Sequence, residues 1–205
     1  MILPPLLVLT DRRQAAAPIV EVVTEVVEAG ARWVVLREKD LPRPERAELA
    51  AALAPLVHHA EGLLLSAGEA LPGCDGIHLP APRPSRANYH AGPPSGLLIG
   101  QSCHGADELG AVDTRADYVT LSPVFLTDSK PGYGPAIGLE GLAQLVGMTK
   151  LPVYALGGIE TPEQTRLCRH AGAVGVAVMG TVMRSREPGR VVRDLLGAMS
   201  EFVDQ

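Results

Sequence analysis

Aromatic side chains are scarce in this chain: tryptophan, tyrosine and phenylalanine together make up 3% of its 205 residues. The core is therefore expected to consist of alanine, valine and leucine, which suits helices packed closely on a parallel sheet. So few aromatics also argue against a surface on which nucleic-acid bases stack. The formal net charge of −5 has the wrong sign for binding a phosphate backbone. We expect no nucleic-acid partner.

Cysteine and long apolar runs are also in short supply. The three cysteines, Cys74, Cys103 and Cys168, are odd in number and form no CxxC pair, which argues against a disulfide framework or a structural zinc site. The apolar run at residues 1–9 lacks a basic flank and is too short to span a bilayer. The sequence therefore predicts a cytoplasmic protein with no membrane partner.

Eight short apolar runs recur along the chain, with amphipathic stretches between them. They are apolar throughout rather than alternating, as expected of parallel strands covered on both faces. The runs are Leu6–Leu9, Trp33–Leu36, Leu63–Leu65, Gly76–Leu79, Leu97–Gly100, Tyr118–Leu121, Val153–Leu156 and Val174–Val178. Eight strand–helix units predict one α/β domain over residues 1–205, a (β/α)8 TIM barrel with a parallel eight-stranded sheet. The third unit leaves room for only a very short helix.

Polar residues gather where the predicted strands end, which in a barrel is the face that carries the active site. Arg37 and Lys39 follow the second strand with the same parity, and two cations in one mouth favour an anionic ligand. His104 follows the fifth strand and is the candidate for proton transfer, and Ser102 beside it is a candidate substrate contact. His78, inside the fourth strand, is either a hydrogen-bonded core residue or a ligand contact.

The last two predicted strands each end in glycine. Gly157 and Gly158 follow the seventh strand, and Met179 and Gly180 close the eighth. Backbone N–H groups at such junctions bind anions, so these four residues form a predicted phosphate cup. No HxH, HExxH or paired-carboxylate pattern indicates a metal centre. Residues 126–137, rich in glycine and proline, are open to two interpretations, a disordered crossover or a binding loop over the mouth.

In this order, the motifs resemble those of the superfamily of thiamine phosphate synthase and thiazole tautomerase. The likeness runs nearly end to end and implies a (β/α)8 barrel that binds a small phosphorylated thiazole. The segments that carry it are LTDR (9–12), LREKD (36–40), DGIHL (75–79), IGQSCH (99–104), ADYVTLSPVF (116–125), TDSK (127–130), GLEGL (138–142), ALGGI (155–159) and GVAVMG (175–180).

The resemblance also implies which residues meet each part of the ligands. The thiazole phosphate is expected at the backbone of the last two strand ends and at hydroxyls of the loop after the sixth strand. The matching positions are Gly157, Gly158, Met179, Gly180, Thr127 and Ser129. Arg37, Lys39 and Lys130 match positions for the anionic groups of the pyrimidine substrate or its pyrophosphate.

Two departures from the family pattern bear on the reaction. The synthase joins a pyrimidine pyrophosphate to the thiazole phosphate, and Mg²⁺ neutralises the pyrophosphate that leaves. Where the family supplies acidic magnesium ligands, this chain has Ser66 after the third strand and Pro80 after the fourth. These losses favour a thiazole tautomerase, an isomerase that needs no cofactor, with His104, Arg37 and Lys39 as its catalytic residues.

Two alternatives stay open. The tautomerase's own histidine, after the sixth strand, is replaced here by Pro123, so that this segment is similar to the synthase. The first alternative is therefore a magnesium-dependent synthase that uses other carboxylates, Asp128 or Glu69. The second is a non-catalytic protein that keeps the phosphate cup and senses thiazole phosphate. The sequence also leaves a homodimer open.

Overall fold

The computed structural model describes residues 3–82, 96–126 and 135–200. Eight parallel strands close into a barrel in chain order, and β8 pairs with β1. The strands are β1 (Leu6–Leu9), β2 (Trp33–Leu36), β3 (Leu63–Ala67), β4 (Gly76–Leu79), β5 (Leu98–Cys103), β6 (Tyr118–Leu121), β7 (Val153–Leu156) and β8 (Gly175–Val178). The predicted (β/α)8 barrel is confirmed. The β3 and β5 strands extend beyond their apolar runs because Ser66 and Gln101 remain in register with their neighbours.

Helices cover the outside of the barrel. Those within the described residues are α1 (Ile19–Glu28), α2 (Arg43–His59), α3 (Ala106–Gly110), α4 (Gly138–Gly147), α5 (Pro162–His170), α6 (Gly180–Met183) and α7 (Pro188–Ser200). The first of them buries Ile19 and four valines at helical spacing. The side chain of Thr161 accepts a hydrogen bond from the Gln164 N–H at 3.2 Å and begins α5 with a capping box. No described helix has the length and apolarity that a membrane crossing requires.

The third unit differs from the expected strand–helix pattern. Residues 68–75, between β3 and β4, form turns and bends instead of the very short helix that was expected. Gly68 and Gly73 adopt positive φ angles of 86° and 80°, which interrupt helical backbone. The Ser66 hydroxyl donates to the Glu69 carbonyl and closes the first of these turns. The connection is therefore a turn that places Glu69 at the rim of the barrel mouth.

Aromatic rings pack together inside the barrel, in contrast to the aliphatic layer between the strands and the helices. Valine and leucine dominate the layer between strands and helices, as expected. Inside the barrel, however, Trp33, Tyr118 and Tyr154 pack with ring centroids 5.4 to 6.1 Å apart. Gly100 and Gly175 make room for them, because an added Cβ would meet the ring of Tyr118 at the first position and that of Tyr154 at the second. The expectation of a core of only alanine, valine and leucine is wrong for this inner layer.

Candidate phosphate-binding site

A cavity of about 680 Å³, open to solvent, lies at the carboxyl end of the barrel. Its walls come from β1 and from the segments that follow β2, β6, β7 and β8, and they include all four residues of the predicted phosphate cup. The structure therefore brings the cup residues together around one opening.

The glycine pair after β7 is held against the segment that follows β6. Gly157 and Gly158 have φ angles of 100° and 66°, which L side chains rarely adopt. An added Cβ would lie 2.8 Å from Pro123 Cα at the first position and 2.6 Å from Phe125 Cβ at the second. Among the described residues, the N–H of Gly158 donates no backbone hydrogen bond. Only glycine fits here, and it leaves a backbone donor for an anion.

Met179 and Gly180 form the other half of the phosphate cup. The Met179 carbonyl accepts hydrogen bonds from the N–H groups of Val182 and Met183, at 3.1 and 2.9 Å, and so begins the short helix α6. The Met183 carbonyl in turn accepts from the N–H of Ala16 at 2.8 Å. The segment after β8 is thus fixed to the loop after β1.

Arg37 lines the same cavity, whereas Lys39 does not. The strand β2 ends at Leu36, and the Lys39 N–H donates to the Arg37 carbonyl at 3.0 Å. Because this is a turn, strand parity does not continue to Lys39, which lies exposed. The Arg37 N–H is fixed by the buried Thr10 hydroxyl at 2.9 Å. Arg37 is therefore part of the cavity wall and Lys39 is not, although the charges of both act on the buried His78; that both side chains enter the mouth stays a prediction.

Arg12 binds Glu38 and Asp40, the two acids that alternate in sequence with Arg37 and Lys39. Its backbone N–H lies 3.1 and 3.2 Å from the two carboxylate oxygens of Glu38, and its guanidinium donates to Glu38 at 3.1 Å. The same guanidinium makes two hydrogen bonds of 2.8 Å to Asp40, which lower the pKa of that carboxyl. Glu38 is 1% exposed. Arg12 thus joins the loop after β1 to the turn that presents Arg37.

We expect Glu38→Gln to lower the free energy of unfolding by about 1 to 3 kcal/mol, because the amide lacks the negative charge that pairs with the Arg12 guanidinium and has one acceptor oxygen instead of two. Urea denaturation measures this change. Glu28→Gln is the control, since Glu28 is exposed on α1, and it should stay within about 0.5 kcal/mol of the wild type. Equal stabilities of the two variants would contradict the structural role of Glu38.

His78 is a hydrogen-bonded core residue, the first of its two predicted alternatives. Its Nδ1 lies 3.1 Å from the Tyr118 hydroxyl and its Nε2 lies 3.0 Å from the Ser102 hydroxyl. Burial lowers the pKa of His78 to about 3, and the positive charges of Lys39 and Arg37 add to this effect. His78 and Ser102 do not line the cavity that contains the phosphate cup. The imidazole is therefore neutral at physiological pH.

This burial predicts how stability depends on pH. The pKa of His78 falls from 6.5, its ordinary value, to about 3 in the folded protein. Below pH 6.5 the unfolded chain therefore binds a proton that the folded protein excludes. His78 contributes a loss of stability that approaches about 1.4 kcal/mol per pH unit as the pH falls from 6.5 toward 3.

Urea denaturation between pH 7 and pH 4.5 tests this prediction. His78→Asn should show a shallower decline in stability than the wild type. His59→Asn, at an exposed position at the end of α2, should follow the wild-type slope. A wild-type slope in His78→Asn would show that His78 takes up its proton without unfolding.

His104 lies behind the cavity wall rather than in it. Its Nδ1 is 2.8 Å from the carbonyl and 3.1 Å from the hydroxyl of Ser122, a residue that lines the cavity. Its backbone N–H donates to the Glu108 carboxylate at 2.6 Å. The imidazole is thus in place to support the segment after β6.

Several predicted site residues cannot be located in this cavity. Thr127, Ser129 and Lys130, together with the alternative metal ligand Asp128, lie outside the described residues. Most of the segment 126–137, for which a crossover and a binding loop were considered, lies outside them as well. The geometry of the site therefore rests on the strand ends.

Sequence reasoning missed Arg184 and Glu160, which also line the cavity. Arg184 follows α6, and its N–H donates to the Gly180 carbonyl at 2.9 Å. The signal was its position four residues after Gly180, one helical turn from the phosphate cup. Glu160 comes two residues after Gly158 and carries negative charge beside the same cup.

Comparisons with known proteins bear on what this cavity binds. A sequence profile described as thiamine monophosphate synthase matches residues 6–182. A thiamine-phosphate synthase of Roseiflexus sp. is 33% identical over 210 residues, which span 97% of this chain and 86% of the relative. One of Pyrococcus furiosus is 33% identical over 204 residues, spanning 97% and 96%. The solved thiamine phosphate pyrophosphorylase of Pyrococcus furiosus has a TM-score of 0.82 and 30% identity, and the match covers 97% of this chain and 96% of that one.

The expectation of a thiazole tautomerase is wrong. The relatives that match nearly the whole chain carry the names of the coupling enzyme. Ser66 and Pro80 replace two acids of the family pattern, but the likeness to the synthases extends over nearly the whole chain. Pro123, at the position of the tautomerase histidine, already pointed to the other enzyme. The proton-transfer role assigned to His104 falls with the tautomerase.

Proposed function

We propose that this chain, which belongs to the thiamine monophosphate synthase family, is a thiamine-phosphate synthase, a transferase that joins a pyrimidine pyrophosphate to a thiazole phosphate. In this reaction a carbon–nitrogen bond to the thiazole forms, and the bond from that carbon to the pyrophosphate oxygen breaks. The pyrophosphate leaves with the electron pair. The enzyme must therefore bind two phosphorylated substrates and stabilise negative charge on the leaving group.

The observation that carries this proposal is the cavity that combines the phosphate cup with Arg37. The cup offers backbone to the thiazole phosphate, as in other barrels that bind phosphate on their last two strands. Arg37, which follows β2, supplies a fixed positive charge to the pyrophosphate. Coupling needs no proton acceptor on the enzyme, which agrees with a neutral, buried His78 and with His104 behind the wall.

Magnesium, which the family resemblance associates with the leaving pyrophosphate, has no all-protein site among the described residues, and it would need only one or two carboxylates together with the pyrophosphate itself. Across residues 3–82, 96–126 and 135–200, no group of three or more histidine, cysteine, aspartate or glutamate side chains is arranged to hold a metal ion. Glu69, one alternative ligand, is paired with Arg43 and Arg46. Ser66 directs its hydroxyl to backbone carbonyls. Of the two cations that follow β2, Arg37 is the one that lines the cavity and supplies positive charge to the leaving group.

A coupling assay tests the proposal. The purified protein is incubated with the pyrimidine pyrophosphate and the thiazole phosphate, once with Mg²⁺ and once with EDTA. Thiamine phosphate and pyrophosphate should form in equal amounts in at least one of the two conditions. If the protein forms neither product in either condition, although it binds thiazole phosphate, it is not a synthase.

A further inference from the structure

Two arginines line the cavity from strands on either side of β1. Arg37 follows β2 and Arg184 follows α6, which begins after β8. In the closed barrel β2 and β8 are the two neighbours of β1. The side chain of Arg37 is 21% exposed and that of Arg184 is 41% exposed. Both guanidinium groups therefore border the opening and contact solvent there.

The loop after β1 connects the two arginines. Arg184 Nη1 donates to Gln14 Oε1 at 2.9 Å, and Gln14 Nε2 donates to Asp11 Oδ2 at 2.6 Å. Asp11 Oδ2 lies 4.0 Å from Arg37 Nη1. Asp11 and Gln14 thus form a polar bridge between the cations, and this bridge fixes the direction of one amino group of Arg184.

The other amino group of Arg184 lies near the Glu160 carboxylate. Arg184 Nη2 lies 3.4 Å from Glu160 Oε1, and Glu160 lines the cavity two residues after Gly158. A carboxylate at this place repels a phosphate, and Arg184 offsets that repulsion. The contact between Arg184 Nη2 and Glu160 is long for a charged hydrogen bond, so a phosphate dianion in the same cavity can compete with Glu160 for this amino group.

We propose that Arg184 is a side-chain ligand for the phosphate that the cup holds, and that Gln14 positions its guanidinium. This inference rests on the proposed function for the identity of the phosphate, that of the thiazole substrate. A guanidinium adds charge-assisted, bidentate hydrogen bonds to those of the uncharged backbone N–H groups. Arg184 therefore makes the site select a phosphate monoester over the same ring carrying a neutral alcohol.

Titration calorimetry with inorganic phosphate tests the binding role without relying on the coupling reaction. Arg184→Gln should weaken phosphate binding about tenfold, because a charged hydrogen-bond donor to the anion is lost. Arg184→Lys should recover part of the affinity, since it restores the charge without the fork. Arg186→Gln is the matched control: it removes one positive charge two residues further on, at an exposed position that does not line the cavity. It should bind as the wild type does.

Steady-state kinetics provide the second measurement. Arg184→Gln should raise KM for thiazole phosphate about tenfold and leave KM for the pyrimidine pyrophosphate unchanged. Gln14→Ala should raise the same KM by a smaller factor, and a wild-type KM would overturn its positioning role. Unchanged phosphate affinity in Arg184→Gln, or no saturable phosphate binding by the wild type, would overturn the inference. Phosphate binding that depends on Arg184 in a protein that couples nothing would reject the proposed function and leave the inference standing.

Discussion

Arg37→Gln is expected to lower kcat/KM for coupling by about a hundredfold or more, because it removes a preorganised charge beside the leaving pyrophosphate. Arg37 is the cation of the β2 turn that lines the cavity. Its backbone is fixed by the buried hydroxyl of Thr10, so the charge stands in place before substrate binds. Glutamine keeps much of the length of the side chain and removes the charge. Initial rates at varied concentrations of both substrates measure the effect.

The control for Arg37 removes a positive charge at the other end of the barrel. Lys150 is exposed in the segment that precedes β7, at the amino end of that strand, and Lys150→Gln should couple at the wild-type rate. Arg37→Lys should fall between the two, because lysine keeps the charge but loses the planar fork. If Arg37→Gln and Lys150→Gln have equal kcat/KM values, then Arg37 does not act on the leaving group.

Gly158→Ala is expected to abolish measurable binding of thiazole phosphate and to destabilise the fold by about 2 kcal/mol or more. A side chain at a φ of 66° is strained in itself. Its Cβ would also lie 2.6 Å from Phe125 Cβ and would meet the Leu126 carbonyl. The strand end or the segment after β6 would have to move, and either movement displaces the cup. Calorimetry with thiazole phosphate and thermal unfolding measure the two effects.

Gly197→Ala provides the matched comparison. Gly197 is exposed within α7, and an added Cβ there meets nothing within 4 Å. The substitution should leave phosphate binding intact and stabilise the helix by up to about 1 kcal/mol. If Gly158→Ala retained the Tm and the affinity of the wild type, the close approach of the β6 segment would not constrain the cup.

The barrel could be predicted because burial on both faces leaves a local signature. Each strand is an apolar run, and alternation of runs with helical periodicity indicates a parallel sheet. The helix predicted between β3 and β4 is absent, because a turn and a very short helix need similar numbers of residues. Hydrophobic periodicity also gives no sign of the positive φ angles of Gly68 and Gly73. The aromatic packing inside the barrel could not be predicted from composition, because a low average content of aromatic residues does not show that Trp33, Tyr118 and Tyr154 lie together.

The parts of the site that depend on local backbone conformation could be predicted from the sequence. The parts that depend on side-chain contacts between residues far apart in sequence could not. The phosphate cup follows from glycine at two strand ends, which is a local feature. A turn after Leu36 ends the strand parity, so parity alone cannot predict where the Lys39 side chain lies. Arg184 was missed because its partner Gln14 lies 170 positions away in sequence. The prediction of a tautomerase was wrong because it depended on the two acids replaced by Ser66 and Pro80, whereas the likeness to thiamine-phosphate synthases extends over nearly the whole chain.

The two glycines that make room for the rings inside the barrel, Gly100 and Gly175, limit which substitutions this barrel tolerates during evolution. A Cβ at Gly100 would overlap the ring of Tyr118, whereas one at Gly175 would meet the backbone carbonyl of Pro5 as well as the ring of Tyr154. Gly100 and Tyr118 therefore share a single volume, so a larger residue at one position requires a smaller one at the other. An alignment of relatives should show this pair covarying, whereas position 175 should stay glycine because the Pro5 backbone leaves no room for a side chain. Sequences that carry a large residue at both positions of the pair should be rare.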